Sequence, residues 1–437
     1  MIRAVLAAVV AVVLGLPAQA KIDIQEVTSP GGIDAWLVEE HSIPFVALEL
    51  RFRGGASLDA PGKRGAINLM TGLLEEGAGE MDAQGFAVAA ESLAANFRFD
   101  ARNDAVSVSA KVLTENRDEA MALFRSALVA PRFDEDALER VRGQVLAGIA
   151  SDAKDPQEIS SDTFAHLAFG DHPYGTKLEG TADSVSALTR DDIVAAHSRV
   201  LARDRVYVSA VGDITAEELG VLLDDLLGDL PETGAPMPER IDYALPGGTT
   251  VVDFDTPQSV VTFGQRGLTR HDPDFFPAYV MTHILGGGGF SSRLMEEVRE
   301  KRGLTYGIGV YLYPMDLSEM MLGYVSTANG RVAETLDLVK AEWRKLAETG
   351  VTEEELESAK TYLTGAYPLR FDGNGPIANI LVGMQMDGLT PDYVTTRNDK
   401  IRAVTLDDIR RVAAELVDPE QLRFVVVGQP EGLDASN

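Results

Sequence analysis

The sequence predicts an α+β protein of two homologous domains, each an antiparallel sheet with helices packed on one face, facing each other across a cleft. Three observations predict it. Residues 187 to 213, ALTRDDIVAAHSRVLARDRVYVSAVGD, match residues 403 to 429, AVTLDDIRRVAAELVDPEQLRFVVVGQ, without a gap, so that Asp191, Asp192 and Ile193 fall on Asp407, Asp408 and Ile409, and Gly212 falls on Gly428. Within the first half, strand-like alternation precedes long amphipathic helices instead of interleaving with them. Between the halves, LPETGAPMPERIDYALPGG (230 to 248) is rich in Pro and Gly and lacks periodicity, as a linker does.

The first twenty residues, MIRAVLAAVVAVVLGLPAQA, combine Arg3, an apolar stretch from Ala4 to Leu16 and the small-residue ending Ala18-Gln19-Ala20, the pattern of a secretory signal peptide cleaved after Ala20. The alternative is a membrane anchor, but this stretch falls short of the roughly 20 residues a helix needs to span a bilayer. The expected organisation is a signal peptide (1 to 20), a first domain (21 to 228), a linker (229 to 248) and a second domain (249 to 437). The mature chain is expected to be periplasmic, with no membrane insertion.

In the first domain PFVALELRFRG reads as a strand and NFRFDARNDAVSVSAKVL as a half-buried antiparallel hairpin. TENRDEAMALFRSALV and DEDALERVRGQVLAGIAS read as amphipathic helices. The repeat extends to these earlier elements, NLMTGLLEEG falling on YVMTHILGGG and FDEDALERVRGQVLAGI on VTEEELESAKTYLTGAY. Each half ends in a capped helix and a β-rich strand that stops at glycine.

Composition excludes several functions. The 437 residues contain no cysteine, which removes disulfides, thiol catalysis, thiolate metal sites and a thioether lipid anchor. A net charge of -29, from 68 acidic and 39 basic residues, argues against nucleic acid or anionic lipid as a partner. That acidity serves either solubility or the steering of basic peptides. No Gly-Lys-Ser/Thr phosphate loop and no Gly-x-Ser-x-Gly elbow is present.

GAINLMTGLLEEGAG (65 to 79) predicts a helix over 65 to 77 with a buried stripe of Ala66, Leu69, Met70, Leu73 and Leu74. Asn68, Thr71, Gly72 and Glu75 are expected on the opposite face, at spacings that would suit a metal if they were imidazoles and carboxylates. They are not: Asn68 offers an amide, Thr71 a hydroxyl that is no base near neutral pH, and Gly72 nothing. Glu75 and Glu76 read as a solvated helix end. Gly72 inside a helix costs about 1 kcal/mol relative to Ala, which points to a close approach by another backbone or to a groove. His172, in a turn before Pro173, and His166 lack ligand spacing and read as structural.

The chain resembles the pitrilysin/insulinase family of zinc peptidases in its short two-domain bacterial form. The blocks RFRGGASLDAPGKRGAINLMTGLLEEGAG, FGDHPYGTKLEGT and LGGGGFSSRLMEEVREKRGLTYGIGVY carry the resemblance, together with the duplication. The resemblance implies a His-x-x-Glu-His helix with a distal Glu ligand. Laid onto this chain, the two His positions fall on Asn68 and Gly72, the Glu on Thr71 and the distal Glu near Gly148, so all four groups are missing and no metal is expected here. The resemblance also implies an Arg and Tyr pair that holds substrate backbone, mapping onto Arg299 and Tyr306, and a glycine-rich loop mapping onto Gly286, Gly287, Gly288 and Gly289.

By residue pattern alone Tyr306 alternates with Leu304, Ile308 and Val310 and would face the core, and the four glycines would serve equally as a helix stop. Gly303 reads as the helix stop and Leu304 as the start of a strand, which would aim Arg299 and Tyr306 into one cleft. The expectation is a non-catalytic subunit, inactive alone, that binds unstructured peptide and pairs with a homologous subunit bearing the zinc. The rivals are a peptidase-like scaffold or peptide-binding protein with no proteolytic role, and an enzyme acting alone by unfamiliar chemistry.

Overall fold

A computed structural model describes residues 22–433; the signal-peptide expectation lies outside them. In the first half the order is β1 (Gln25–Thr28), β2 (Asp34–Glu39), β3 (Phe45–Arg53), α1 (Ala66–Thr71), the short pair β4 (Gly77–Ala78) and β5 (Met81–Asp82), and α2 (Ala83–Ser92). Then come β6 (Asn96–Ala101), β7 (Ala105–Leu113), α3 (Arg117–Val129), α4 (Glu135–Asp152), α5 (Pro156–Phe169), α6 (Ala182–Ser186), α7 (Arg190–Val200), β8 (Val206–Gly212) and α8 (Ala216–Leu227). The second half has β9 (Gly248–Asp253), β10 (Gln258–Arg266), α9 (Phe275–Thr282), β11 (Ile308–Pro314) and β12 (Glu319–Ala328). It closes with α10 (Val332–Thr349), α11 (Glu353–Ala366), α12 (Asn374–Met386), α13 (Tyr393–Ala403), α14 (Leu406–Leu416) and β13 (Arg423–Gly428).

The duplication is a duplication of topology. The larger sheet runs β1-β2-β8-β3-β7-β6 and the smaller β9-β13-β10-β12-β11, so the second reproduces the first from β2 onward. The α+β class and the two halves hold, but the sheets are mixed: β2 runs parallel to β8 and β9 parallel to β13, all other neighbours being antiparallel. The last strand of each half inserts next to its first, after a helical connection, and that return leg makes the pair parallel.

The matched segments repeat in detail. Thr189 caps α7 and Thr405 caps α14, each in a reciprocal capping box with Asp192 or Asp408. Gly212 and Gly428 end β8 and β13 at φ +138 and +151, where a Cβ would fall 2.2 Å from the Phe45 carbonyl oxygen or 2.4 Å from Ser259 Oγ. Only glycine fits both the backbone and the space.

Each sheet has one face on its own half's core. Leu48, Leu50 and Phe52 of β3 pack with α1, α3, α7 and α8 side chains in the first, and Phe263, Phe424 and Val426 pack with Trp343 of α10 in the second. The other face of each sheet is covered by a helix from the opposite half, so the helices are not confined to one face. Helix α5 lies on β10 and β13, with Phe164 packed among Val425, Val427 and Met320. Gly264 makes room for the Phe164 ring, since a Cβ there would lie 2.9 Å from its ring edge. Fully buried Ser160 accepts from Thr262 N–H at 3.0 Å and lies within donating reach of the Val425 carbonyl at 3.2 Å.

Reciprocally, α12 lies on β3 and β8. Its Ala378, Leu381 and Met384 pack against Trp36, Ala47 and Val211. Ser209 donates to the Ala378 carbonyl at 2.5 Å and Gln385 to the Val208 carbonyl at 2.7 Å. The stretch between α8 and β9, read as a linker, contains no helix or strand, yet it is packed down through buried Leu230, Ala235 and Tyr243.

Because each half completes the other's sheet, the two halves should unfold together. Urea unfolding followed by far-UV circular dichroism and by tryptophan fluorescence should show one coincident transition. Ser160→Ala, which strands the Thr262 N–H, should lower the unfolding free energy by about 1–3 kcal/mol. Two separated transitions would mean that the halves fold independently.

Candidate functional site

Helix α1 is the frame on which the metal motif would stand. The Asp59 carboxylate, its side chain 4 % exposed, positions it by accepting from Ile67 N–H at 2.9 Å and Gly65 N–H at 2.8 Å. The expected stripe of Ala66, Leu69, Met70, Leu73 and Leu74 is buried, with Ile67 added to it. The helix is shorter than the sequence predicts, ending at Thr71 with Gly72 as its C-cap. Leu73 and Leu74 N–H groups bond three residues back, to Met70 and Thr71, so the chain turns and Glu75 and Glu76 lie beyond the helix rather than in its last turn.

Thr71 is not on a solvent face. It is 4 % exposed, and its hydroxyl donates to the Asn68 carbonyl at 2.8 Å. Asn68 is half-buried. Gly72 is exposed, and the close approach its glycine implied comes from a side chain: a Cβ there would meet Val141 Cγ1 of α4 at 3.0 Å. Gly148, further along α4, is exposed, and a Cβ would have nothing within 4 Å. These four positions hold an amide, a satisfied hydroxyl and two hydrogens, a donor set that does not fit zinc. Among the described residues no group of three or more His, Asp or Glu side chains is placed to hold a metal ion.

The Arg299 and Tyr306 segment also differs from expectation. Arg299 lies in a π-helical turn, Met295–Glu300, its guanidinium 4.3 Å above the exposed Phe290 ring and 3.2 Å from Glu300 Oε1. Gly303, at φ +61, stops the helix as read, with Leu304 N–H returning to the Val298 carbonyl. The strand begins at Ile308 and not at Leu304, because Leu304 drops into the core and Tyr306 sits in a bend. Tyr306 is 90 % exposed, so it does not face the core.

Gly286 and Gly287 belong to a π-helical turn, His283–Gly287, rather than to a loop, and Gly289 opens a 3-10 turn. A Cβ on Gly286 would lie 2.8 Å from Val310 N, so this glycine lets the turn seat against β11. His172 is structural: Nδ1 accepts from Tyr174 N–H at 3.2 Å, and Nε2 lies 3.1 Å from the Glu239 carbonyl. His166 is exposed on α5.

Sequence reasoning missed the cleft floor. A cavity of about 860 Å³ lies over the end of the larger sheet that α12 leaves uncovered, bordered by Tyr313 and Met315 of the second half. Its floor is charged: Glu49, Arg51, Arg98, Asp100 and Lys111 line it. They come in rows, since Glu49 and Arg98 both pair with Ser109, and Arg51 and Asp100 both pair with Ser107. The signal was the polar phase of LELRF, FRFD and VSVSAK, whose charges all point to one face. Burial pushes the Glu49 carboxyl up to about 7 against the pull of Arg51, Lys111 and Arg98, and burial raises Asp316, near Arg53 at the cleft's edge, to about 6. Neither Arg299 nor Tyr306 borders this cavity.

The fold defines a class: two duplicated halves, each a mixed sheet closed on its second face by a helix of the other, with no metal-binding group among the described residues. Residues 35–182 match the family model described as insulinase (peptidase family M16), and residues 187–363 match the peptidase M16 inactive domain. The chain belongs to peptidase family M16.

It is 28 % identical over 390 residues to the non-peptidase homolog YmxG of Helicobacter pylori, covering 89 % of this chain and 90 % of that protein. It is 27 % identical to the uncharacterized zinc protease SCO5738 of Streptomyces coelicolor, covering 90 % and 87 %. The crystal structure of a peptidase M16 inactive domain from Pseudomonas fluorescens superposes with a TM-score of 0.87 at 27 % identity, covering 95 % of this chain and 99 % of that one.

The raised Glu49 carboxyl makes stability pH-dependent. Between the ordinary glutamate value of 4.5 and about 7 the folded chain keeps a proton that the unfolded chain has lost. That contribution is full below the lower value and is lost as pH rises through the upper one. Unfolding free energies measured at pH 5, 6 and 7.5 should fall with rising pH, and Glu49→Gln should flatten part of that slope; parallel curves for the two proteins would contradict the assignment.

Proposed function

We propose that this chain is the non-catalytic subunit of a periplasmic heterodimeric zinc peptidase, binding unstructured peptide and completing the active site of a homologous partner that carries the metal. The observation that carries the reading is that Asn68, Thr71, Gly72 and Gly148 lack all four required groups while the supporting helices keep their packing. Two further observations support it. Tyr306 is presented almost wholly to solvent, and Arg299 is part-exposed against the Phe290 ring with its Nη1 buried and without a hydrogen bond. The charged floor of the cleft offers both signs of charge to an extended peptide.

Relatives named as zinc proteases and one named a non-peptidase homolog are consistent with a family that separates metal-bearing from metal-free chains. Periplasmic placement rests on the leader pattern of residues 1 to 20. Among the described residues no helix is long and apolar enough to cross a membrane.

The test is reconstitution with a homologous chain bearing His-x-x-Glu-His, sought first in an adjacent reading frame. The mixture should hydrolyse a quenched fluorogenic peptide, and neither chain should do so alone. Arg299→Ala and Tyr306→Phe should each lower kcat/KM by about tenfold or more, the loss expected when a donor to a developing oxyanion is removed, with co-elution of the two chains unchanged. Full activity in both variants would favour a scaffold role, and zinc-dependent cleavage by this chain alone would refute the non-catalytic assignment.

A further inference from the structure

A second cavity, of about 340 Å³, lies behind α12, between it and the helices α9 and α13. Its chemistry opposes that of the whole chain. Four arginines line it, Arg51, Arg270, Arg370 and Arg397, against one carboxylate, Asp387, a surplus of three positive charges in a chain of net charge -29. The apolar lining is aromatic, and the rings hold the cations. Arg270 lies 4.3 Å above Phe275 and 5.1 Å above Tyr393, and Arg397 lies 4.2 Å above Tyr367.

Two groups in this wall are built yet unused. Tyr367 is 7 % exposed, and its hydroxyl has no hydrogen-bond partner; burial pushes that phenol up to about 12, so it stays a neutral donor. A buried hydroxyl without a partner costs about 1–3 kcal/mol, which an acceptor inside the cavity would recover. Arg51 reaches the cavity by crossing α12 at Gly383, where a Cβ would lie 3.2 Å from its Nη1, and its Nε is buried without a partner. Arg370, exposed at the end of a 3-10 turn, has a guanidinium with no hydrogen bond or ion pair among the described residues. Arg397 is 6 % exposed and spends Nη1 on the Leu363 carbonyl, which leaves Nη2 only a long 3.4 Å contact with the Tyr279 hydroxyl.

We infer that this cavity is a binding site for a small organic anion, a carboxylate carried on an aromatic body. Planar guanidinium groups and a phenol supply the donors a carboxylate needs, and the stacked rings supply an apolar slot for the body. The volume is that of a small-molecule pocket and not of a protein groove. The carboxylate belongs either to a free aromatic acid or to the end of a peptide with an aromatic last residue. The inference does not depend on pairing with a metal-bearing subunit, and its test needs this chain alone.

The experiment is isothermal titration of the mature chain with 1-naphthylacetate, 1-naphthylacetamide, inorganic phosphate and acetyl-Ala-Phe. Saturable one-to-one binding of naphthylacetate or acetyl-Ala-Phe, at least tenfold tighter than that of the amide or of phosphate, is the expected result, and the tighter of the first two assigns the source. Tyr367→Phe and Arg370→Gln should each weaken that binding by about tenfold, the loss expected for one hydrogen bond to a charged group. Neither variant should lower the melting temperature of the free chain, because Tyr367→Phe keeps the ring and its contacts and neither substitution removes a hydrogen bond or ion pair. Equal binding of acid and amide, binding of phosphate as tight as naphthylacetate, no saturable binding of either acid, or unchanged affinity in both variants would overturn the inference.

Discussion

The structure depends on an exchange of helices between its halves. Each sheet buries one face against its own half, and its second face is closed by a helix from the other half: α5 on β10 and β13, α12 on β3 and β8. The two helices occupy corresponding places in the duplicated order, so one structural rule applied twice yields an interlocked pair. Neither half can withdraw without exposing an apolar sheet face and stranding the buried hydroxyls of Ser160 and Ser209.

That exchange also sets where a cleft can be. Under α12 the larger sheet presents Trp36, Ala47 and Val211; alongside the helix the same sheet presents Glu49, Arg51, Arg98 and Lys111. Apolar residues stand where a helix covers the strands, and charged ones where water or a peptide must. Arg51 belongs to both regions, lining the cleft on one side of α12 and the aromatic cavity on the other. Glu49 and Asp316 carry raised pKa values because they are buried, although Arg51, Lys111 and Arg98 around the first and Arg53 beside the second pull the other way.

Helix α1 keeps its place in the fold with no metal-ligating side chain on it. Helix α1 is held by Asp59 from outside and by its apolar stripe from inside, and neither support uses the side chains a metal would need. Thr71 turns its hydroxyl back onto its own helix, and Gly72 lets Val141 close down on the end of α1.

Much of this was legible in the chain. The repeat, the capping boxes, the hairpin and the apolar stripe of α1 are local patterns of period 2 or 3.6, set by backbone geometry and readable wherever they occur. The four absent groups of the metal motif were legible for the same reason, because an absent side chain needs no context. What only the tertiary structure decided were matters between segments distant in sequence: the parallel pairs, the crossing of α5 and α12, the short end of α1 and the exposure of Tyr306. The charged floor of the cleft and the arginine-lined cavity belong with them. The floor charges are aligned by the register of β3, β7 and β6 within one half, whereas the cavity joins Arg51 of the first half to Arg270, Arg370 and Arg397 of the second, and no periodicity records either pairing.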